Sequence, residues 1–290
     1  MRLFRFGKHG AEIPGVMMPG EKMLDVSAFG EDYNENFFSN NGISRLKDWL
    51  VNNVGKCPAV PFDLRFGSCV ARPSKIVAIG LNYKLHIQET GASFPKEPVI
   101  FMKATTSLCG PNDNVIIPKN SLKTDWEVEL AIVIEKRASY VAEVDALNYV
   151  AGYTVINDYS EREYQLERGG QWTKGKSADT FAPVGPYLVT PDEIPDPQEL
   201  RLWLKVNSEL LQDSYTRDML FGIPVLISYV SHVMTLLPGD IIATGTPSGV
   251  GMGLKPPRFL KPGDVVELGI EGLGSQKQKA VAYGGCVGEI

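Results

Sequence analysis

Histidine is nearly absent from this chain: only His9, His86 and His232 occur among 290 residues, and no two of them are close in sequence. That scarcity argues against an imidazole-based zinc centre, so any metal site must be built from oxygen ligands, which suits Mg2+ or Mn2+. Cysteine is also sparse. Cys57, Cys69, Cys109 and Cys286 stand far apart with no C-x-x-C pair, which speaks against a zinc site or a disulfide frame and for reduced thiols. No apolar run approaches the roughly 18 residues a membrane span needs, and the opening "MRLFRFGKHGAEIPG" lacks the apolar core of a secretory signal. No basic block offsets the net charge of -5. These absences predict a soluble, cytoplasmic protein whose partner is a small molecule rather than a nucleic acid or a membrane.

A chain of this length accommodates one large domain with a small satellite. Residues 1–70 read as a small N-terminal α/β module containing one amphipathic helix, "SRLKDWLVNN", with Ser44 expected as N-cap and Gly55 just past the end. Residues 71–290 read as a mostly β domain. It opens with the alternating strand Lys75 to Tyr83, and Pro238-Gly-Asp240 and Pro262-Gly-Asp264 mark turns that each launch a further strand. "IPVLISYVSHVMTLL" is apolar nearly all round with Pro224 near its start, which predicts a core helix on which His232 packs rather than reacts.

Within the β region stands "DWEVELAIVI", a buried-looking strand that carries Glu127 and Glu129. Side chains alternate faces along a strand, so the two carboxylates share one face. Held together on a half-buried surface, like charges raise each other's pKa and cost several kcal/mol unless a cation neutralises them. The bland alternative is an edge strand with a solvated polar face. The next strand, "AGYTVINDYS", shifts the balance, because Asp158 stands at its carboxyl end and brings the count to three carboxylates, enough for Mg2+ with positions left for water and substrate.

After Asp158, "SEREYQLERGG" suggests a helix with Ser160 and Glu163 as a capping box and Gly169-Gly170 as its stop. Arg162 and Gln165 then share a face, where Arg162 could hold a substrate carboxylate or equally form a surface ion pair. "GQWTKGKS" satisfies the P-loop pattern by letter. Its context is wrong for an NTPase, since a charged helix-like segment precedes it and Pro183 and Pro186 follow. Lys176 is left as either a solvated lysine or an active-site cation. "NYKLHIQETG" sets His86 and Glu89 three apart, on one face of a helical turn, so that Glu89 could orient the imidazole. "ATGTPSGVGMG" is a glycine-rich loop able to point backbone N–H groups and the Thr246 hydroxyl at an anion.

In this order, H-x-x-E, E-x-E, "NDYSERE", "KGKS" and "GTPSGVG" resemble the fumarylacetoacetate hydrolase family over about residues 71 to 283. The resemblance implies an α+β fold, a β-rich mixed roll, usually assembled as a homodimer. It implies Glu127, Glu129 and Asp158 as ligands of Mg2+ or Mn2+. His86 and Glu89 would be a water-activating dyad on a lid, and Lys176 a stabiliser of developing negative charge. Arg162, Gln165, Gly245 and Thr246 would hold an anionic keto-acid substrate. The chain departs from the pattern of many relatives at Lys84 and Leu85, and no fourth carboxylate ligand is assignable. The expected activity is hydrolysis of a C–C bond in an acylpyruvate or a 2,4-diketo-3-deoxy sugar acid. Oxaloacetate decarboxylation, 2-oxo acid isomerisation and ureidoglycolate lysis are alternatives on the same machinery, and a non-catalytic subunit is the alternative of a different class.

Overall fold

The structure, a computed structural model, describes residues 1–284, so Cys286 lies outside the described residues. Two sheets of an α+β fold enclose the main core. In the larger sheet the central order is Leu188–Val189, Val150–Asn157, Val128–Ile134, Ile241–Ala243, Ile76–Gly80 and Val99–Lys103, antiparallel except where Ile241–Ala243 runs alongside Ile76–Gly80. The N-terminal strands Arg2–Phe6, Ile13–Met18 and Lys22–Asp25 extend this sheet through pairing of Arg2–Phe6 with Leu188–Val189. A second sheet is ordered Glu209–Tyr215, Arg201–Val206, Val265–Ile270, Gly274–Ala282 and Val115–Ile117.

The strand Val128–Ile134 is buried along its whole length because both faces are covered. Val128, Leu130 and Ile132 pack with Leu202, Leu204, Val266 and Leu268 of the second sheet. Ala131 and Val133 face the other way, into a core completed by Phe37, Phe38, Leu46 and Leu50 from the N-terminal helices. Each fully buried Leu, Ile or Val of this kind contributes about 1.5–3 kcal/mol. Sandwiched between Val150–Asn157 and Ile241–Ala243, the carboxylate strand is central, which removes the solvated-edge alternative.

Several local expectations need correction. The N-terminal helix spans Gly42–Asn53 and starts from Asn41 in the left-handed region (φ 54), so Ser44 lies inside it, and Gly55 belongs to a further 3-10 turn. Ser160 caps no helix. It forms a short strand with Glu161 against Thr124–Asp125, and the next segment, Glu163–Glu167, winds as a π-helix. By contrast the helix Ile223–Val233 carries Pro224 in its first turn, as expected, and His232 lies on its last turn with Nδ1 2.8 Å from the Ser228 carbonyl. Among the described residues no helix is long and apolar enough to cross a membrane.

Candidate active site

Strand register assembles the carboxylates. Val128 pairs with Asn157, and the Asp158 N–H donates to the Glu127 carbonyl at 2.9 Å, so Asp158 stands directly opposite Glu127 on the face that Glu129 shares. Glu127, Glu129 and Asp158 each offer an oxygen within 4.8 Å of the others, and all three are buried. Their environments differ sharply. Burial alone would raise Glu127, but Lys176, Arg162 and, in its protonated form, His86 outweigh it and hold its carboxyl at about 2. Glu129 is pushed well above the ordinary range, first by burial and then by the charges of Asp158 and Glu127; Lys176 and the Gly245 amide do not offset this. Hence the mutual elevation expected from the E-x-E pattern falls on Glu129 alone. Three convergent hard oxygens, one of them electrostatically starved of a counter-charge, fit a divalent cation such as Mg2+ or Mn2+.

Lys176 sits on the triad, its Nζ 2.7 Å from Glu127 Oε2 and 2.8 Å from Asp158 Oδ2. An ammonium has three donors, so one N–H remains for another acceptor. The "GQWTKGKS" stretch that presents it is one helical turn, Thr173–Lys176, preceded by the π-helix and followed by the short strand Ala182–Pro183, without the strand-loop-helix geometry of a phosphate loop. Arg162 faces protein groups with all three nitrogens: Nε donates to Asp125 Oδ2 at 2.8 Å, Nη1 donates to Gln165 Oε1 at 3.0 Å, and Nη2 forms an ion pair with Glu127 Oε1 at 2.7 Å without an aligned hydrogen bond.

The helix that carries His86 and Glu89 spans Lys84–Thr90. It is launched from the sheet through Asn82, whose side-chain amide donates to the Thr244 carbonyl at 2.8 Å. His86 Nδ1 lies 2.8 Å from Glu89 Oε1. Because an ionised carboxylate only accepts, a neutral imidazole in this pair carries its proton on Nδ1 and presents Nε2 as an acceptor. Both Glu89 oxygens also accept from the Gly249 N–H, at 3.1 and 2.9 Å, which ties the helix to the glycine-rich loop. That loop serves the protein's own anions. The Gly245 N–H donates to Glu129 Oε2 at 2.8 Å, and the Gly251 and Met252 N–H groups donate to Asp125 at 2.7 and 3.0 Å. Gly245 must be glycine here, since φ is +96° and an added Cβ would lie 2.7 Å from Asn82 Cβ. The Thr246 hydroxyl donates to the Val128 carbonyl at 3.0 Å and accepts from Gln212 at 2.8 Å.

A cavity of about 200 Å³ unites these groups, with His86, Glu127, Glu129, Gln165, Lys176 and Thr246 on its wall. A larger cavity near Lys119 and Tyr283 holds none of them. Sequence reasoning missed two residues. Asp125, at 0% exposure, joins Arg162 to the glycine-rich loop. Lys103, only 1% exposed, directs its ammonium at Asp158 and at the carbonyls of Tyr159 and Lys176. Burial and then the nearby Lys176 depress its pKa against the pull of Asp158. The available signal was a lysine closing the apolar strand "VIFMK", since a lysine buried there must find partners. Breaking a buried pair costs about 3–5 kcal/mol, so Lys103→Met is expected to lower the urea midpoint by that equivalent, and an unchanged midpoint would deny the pairing its structural weight.

Comparison with known proteins places the whole chain among related enzymes. Residues 75–281 match the family described as Fumarylacetoacetate (FAA) hydrolase C-terminal. A Burkholderia cenocepacia relative bearing a general hydrolase name is 52% identical over 280 residues, covering 96% of this chain and 98% of the relative. The solved maleylpyruvate hydrolase of Sphingobium sp. SYK-6, in complex with manganese(II) and pyruvate, is 31% identical with a TM-score of 0.81, covering 97% of this chain and 99% of that one. The 2-hydroxyhepta-2,4-diene-1,7-dioate isomerase of Mycobacterium marinum is 31% identical with a TM-score of 0.76, covering 98% and 100%. Matched across its catalytic region and similar to such enzymes along almost its entire length, the chain belongs to the fumarylacetoacetate hydrolase family, as an enzyme of its metal-dependent hydrolase and isomerase kind.

Proposed function

We propose that the protein hydrolyses the C3–C4 bond of a 2,4-diketo acid, releasing pyruvate and a carboxylic acid, with Mg2+ as its resident ion and a homodimer as its working form. One observation carries this reading: His86, which Glu89 holds through Nδ1, and Glu127 and Glu129, which cluster with Asp158, line the same cavity. The pyruvate and manganese bound by the Sphingobium neighbour support it.

A divalent cation held by the triad would supply Lewis-acid stabilisation of the negative charge that grows on the keto-acid oxygens. His86 Nε2, freed because Nδ1 is bonded to Glu89, takes a proton from water as the water oxygen adds to C4. When the C3–C4 bond breaks, its electron pair passes into the pyruvyl fragment as an enolate, and the proton on Nε2 is returned to C3 to give pyruvate. Lys176 keeps one N–H for the developing oxyanion, and the cation–π contact of its Nζ with Phe101, 5.0 Å from the ring centroid, restrains the ammonium. Gln165 offers its amide donors on the same wall, its carbonyl being taken by Arg162.

The test is a pyruvate-release screen over acylpyruvates, 2,4-diketo-3-deoxy sugar acids and oxaloacetate, with and without chelator. Pyruvate and a second acid in equal amounts from a diketo acid, abolished by chelator and restored by Mg2+, are expected. Substrate consumption without bond cleavage would identify an isomerase instead, and carbon dioxide from oxaloacetate alone a decarboxylase.

A further inference from the structure

The charges around the cavity balance in a way that bears on the far end of the substrate. Asp125, Glu127, Glu129, Asp158 and Glu89 supply five carboxylates, and Lys103, Lys176 and Arg162 supply three cations, leaving two negative charges that one divalent ion would cancel. Each of those three cations already faces a protein carboxylate. A substrate carboxylate next to the triad would share the divalent ion. A second carboxylate at the other end of the molecule would find no uncommitted cation on the wall.

What the rest of the wall offers is mostly apolar: Ile79, Leu81, Ala92, Phe101, Leu166 and Trp172, beside Thr90, whose hydroxyl donates to the carbonyls of its own helix. Phe101 and Trp172 meet edge to face with ring centroids 5.4 Å apart, and this aromatic pair begins where Lys176 ends. Trp172 is seated by Gly80, whose missing side chain makes room for the indole: an added Cβ would stand 2.3 Å from the ring. At about 200 Å³ the cavity lies below the ~300–1,000 Å³ of sites for drug-sized ligands, so the tail it admits is short.

We infer that the site selects 2-oxo acids carrying a short, uncharged, apolar tail over dicarboxylates and polyhydroxylated sugar acids, with Trp172 on Gly80 as the selecting wall. This rests on the reading of the site as a metal-assisted keto-acid site, but it concerns recognition and is testable without turnover. A distal carboxylate on this wall would lose its water and gain no free cation, and a run of distal hydroxyls would outnumber the Gln165 amide and the Trp172 indole N–H; sites that leave polar groups unpaired discriminate strongly.

The experiment compares binding of 2-oxohexanoate and 2-oxoadipate to the Mg2+-loaded full-length protein by calorimetry. These compounds differ only at the tail and cannot be hydrolysed between C3 and C4 as diketo acids can. Binding of 2-oxohexanoate tighter by about 100-fold is expected. Equal affinity, preference for 2-oxoadipate, or binding of neither would overturn the inference. In Leu166→Arg, at a half-exposed position, 2-oxoadipate should gain at least about tenfold, and no gain would show that Leu166 is not on the tail's path and remove it from the selecting wall. Pyruvate release from 2,4-dioxohexanoate is then measured separately: tail preference without pyruvate release sinks the hydrolase reading and leaves the selectivity standing, whereas release without preference does the reverse.

Discussion

Replacing His86 by alanine lowers kcat about 10^2- to 10^4-fold, the usual contribution of a positioned general base, and leaves divalent-metal affinity essentially unchanged. The separation follows from geometry. His86 touches Glu89 through Nδ1 and is not among the three clustered carboxylates that could hold a metal ion. Alanine is a strong helix former, so Lys84–Thr90 keeps its backbone. Glu89 also keeps both contacts with the Gly249 N–H, so this helix stays docked on the glycine-rich loop after the imidazole is gone. Glu89→Gln is the companion. An amide in place of the carboxylate no longer dictates that Nδ1 carry the proton, so kcat falls by less than in His86→Ala while metal binding persists. Turnover measured alongside calorimetric titration with Mg2+ checks both variants. Retained turnover in His86→Ala would take the imidazole out of proton transfer, and lost metal binding would make it a ligand or a structural prop.

The two site segments of lowest ambiguity in the sequence are those whose chemistry is local. The period of two along "DWEVELAIVI" places Glu127 and Glu129 on one face in any strand, and three residues of helical spacing suffice to bring His86 to Glu89. What could not be read from local pattern depends on pairing across the sheet. Asp158 opposes Glu127 only because Val128 registers with Asn157. Lys103 is meaningful only beside Asp158, 55 positions along the chain. The glycine-rich loop shows the limit most clearly. Its anion-binding character was legible, but the anions it holds are Glu129, Glu89 and Asp125 of the same chain, contributed by elements more than a hundred residues away. Ser160 misled for a related reason: its cap pattern is local, and pairing with Asp125 in a neighbouring strand overrode it.

Glu129→Gln produces a reversal of stability order, because the wild-type carboxyl is unfavourable in the metal-free fold and indispensable in the loaded one. Without metal, Glu129 is raised well above its ordinary value by burial and by Asp158 and Glu127. Above about pH 4.3 the unfolded chain has released this proton while the folded chain still holds it. The folded state therefore binds more protons, and stability contributed by the group falls as pH rises toward the raised value. Glutamine does not titrate, its carbonyl still accepts from the Gly245 N–H, and its amide donates toward the two remaining carboxylates. The metal-free variant should accordingly melt at or above wild type near neutral pH, with a flatter dependence on pH. Metal reverses the ranking. Wild type gains RT ln(1 + [L]/Kd) from Mg2+, and below the raised value it binds with release of about one proton, so its apparent affinity climbs about tenfold per pH unit. The variant lacks the third anionic oxygen and loses about 100-fold or more in affinity, so millimolar Mg2+ leaves its melting temperature nearly where it was. Thermal melts of both proteins with chelator and with excess Mg2+, across the neutral range, decide the matter. A variant that melts lower than wild type without metal, or that gains as much from Mg2+ as wild type does, would mean that Glu129 is neither the strained carboxyl nor the ligand its surroundings make it.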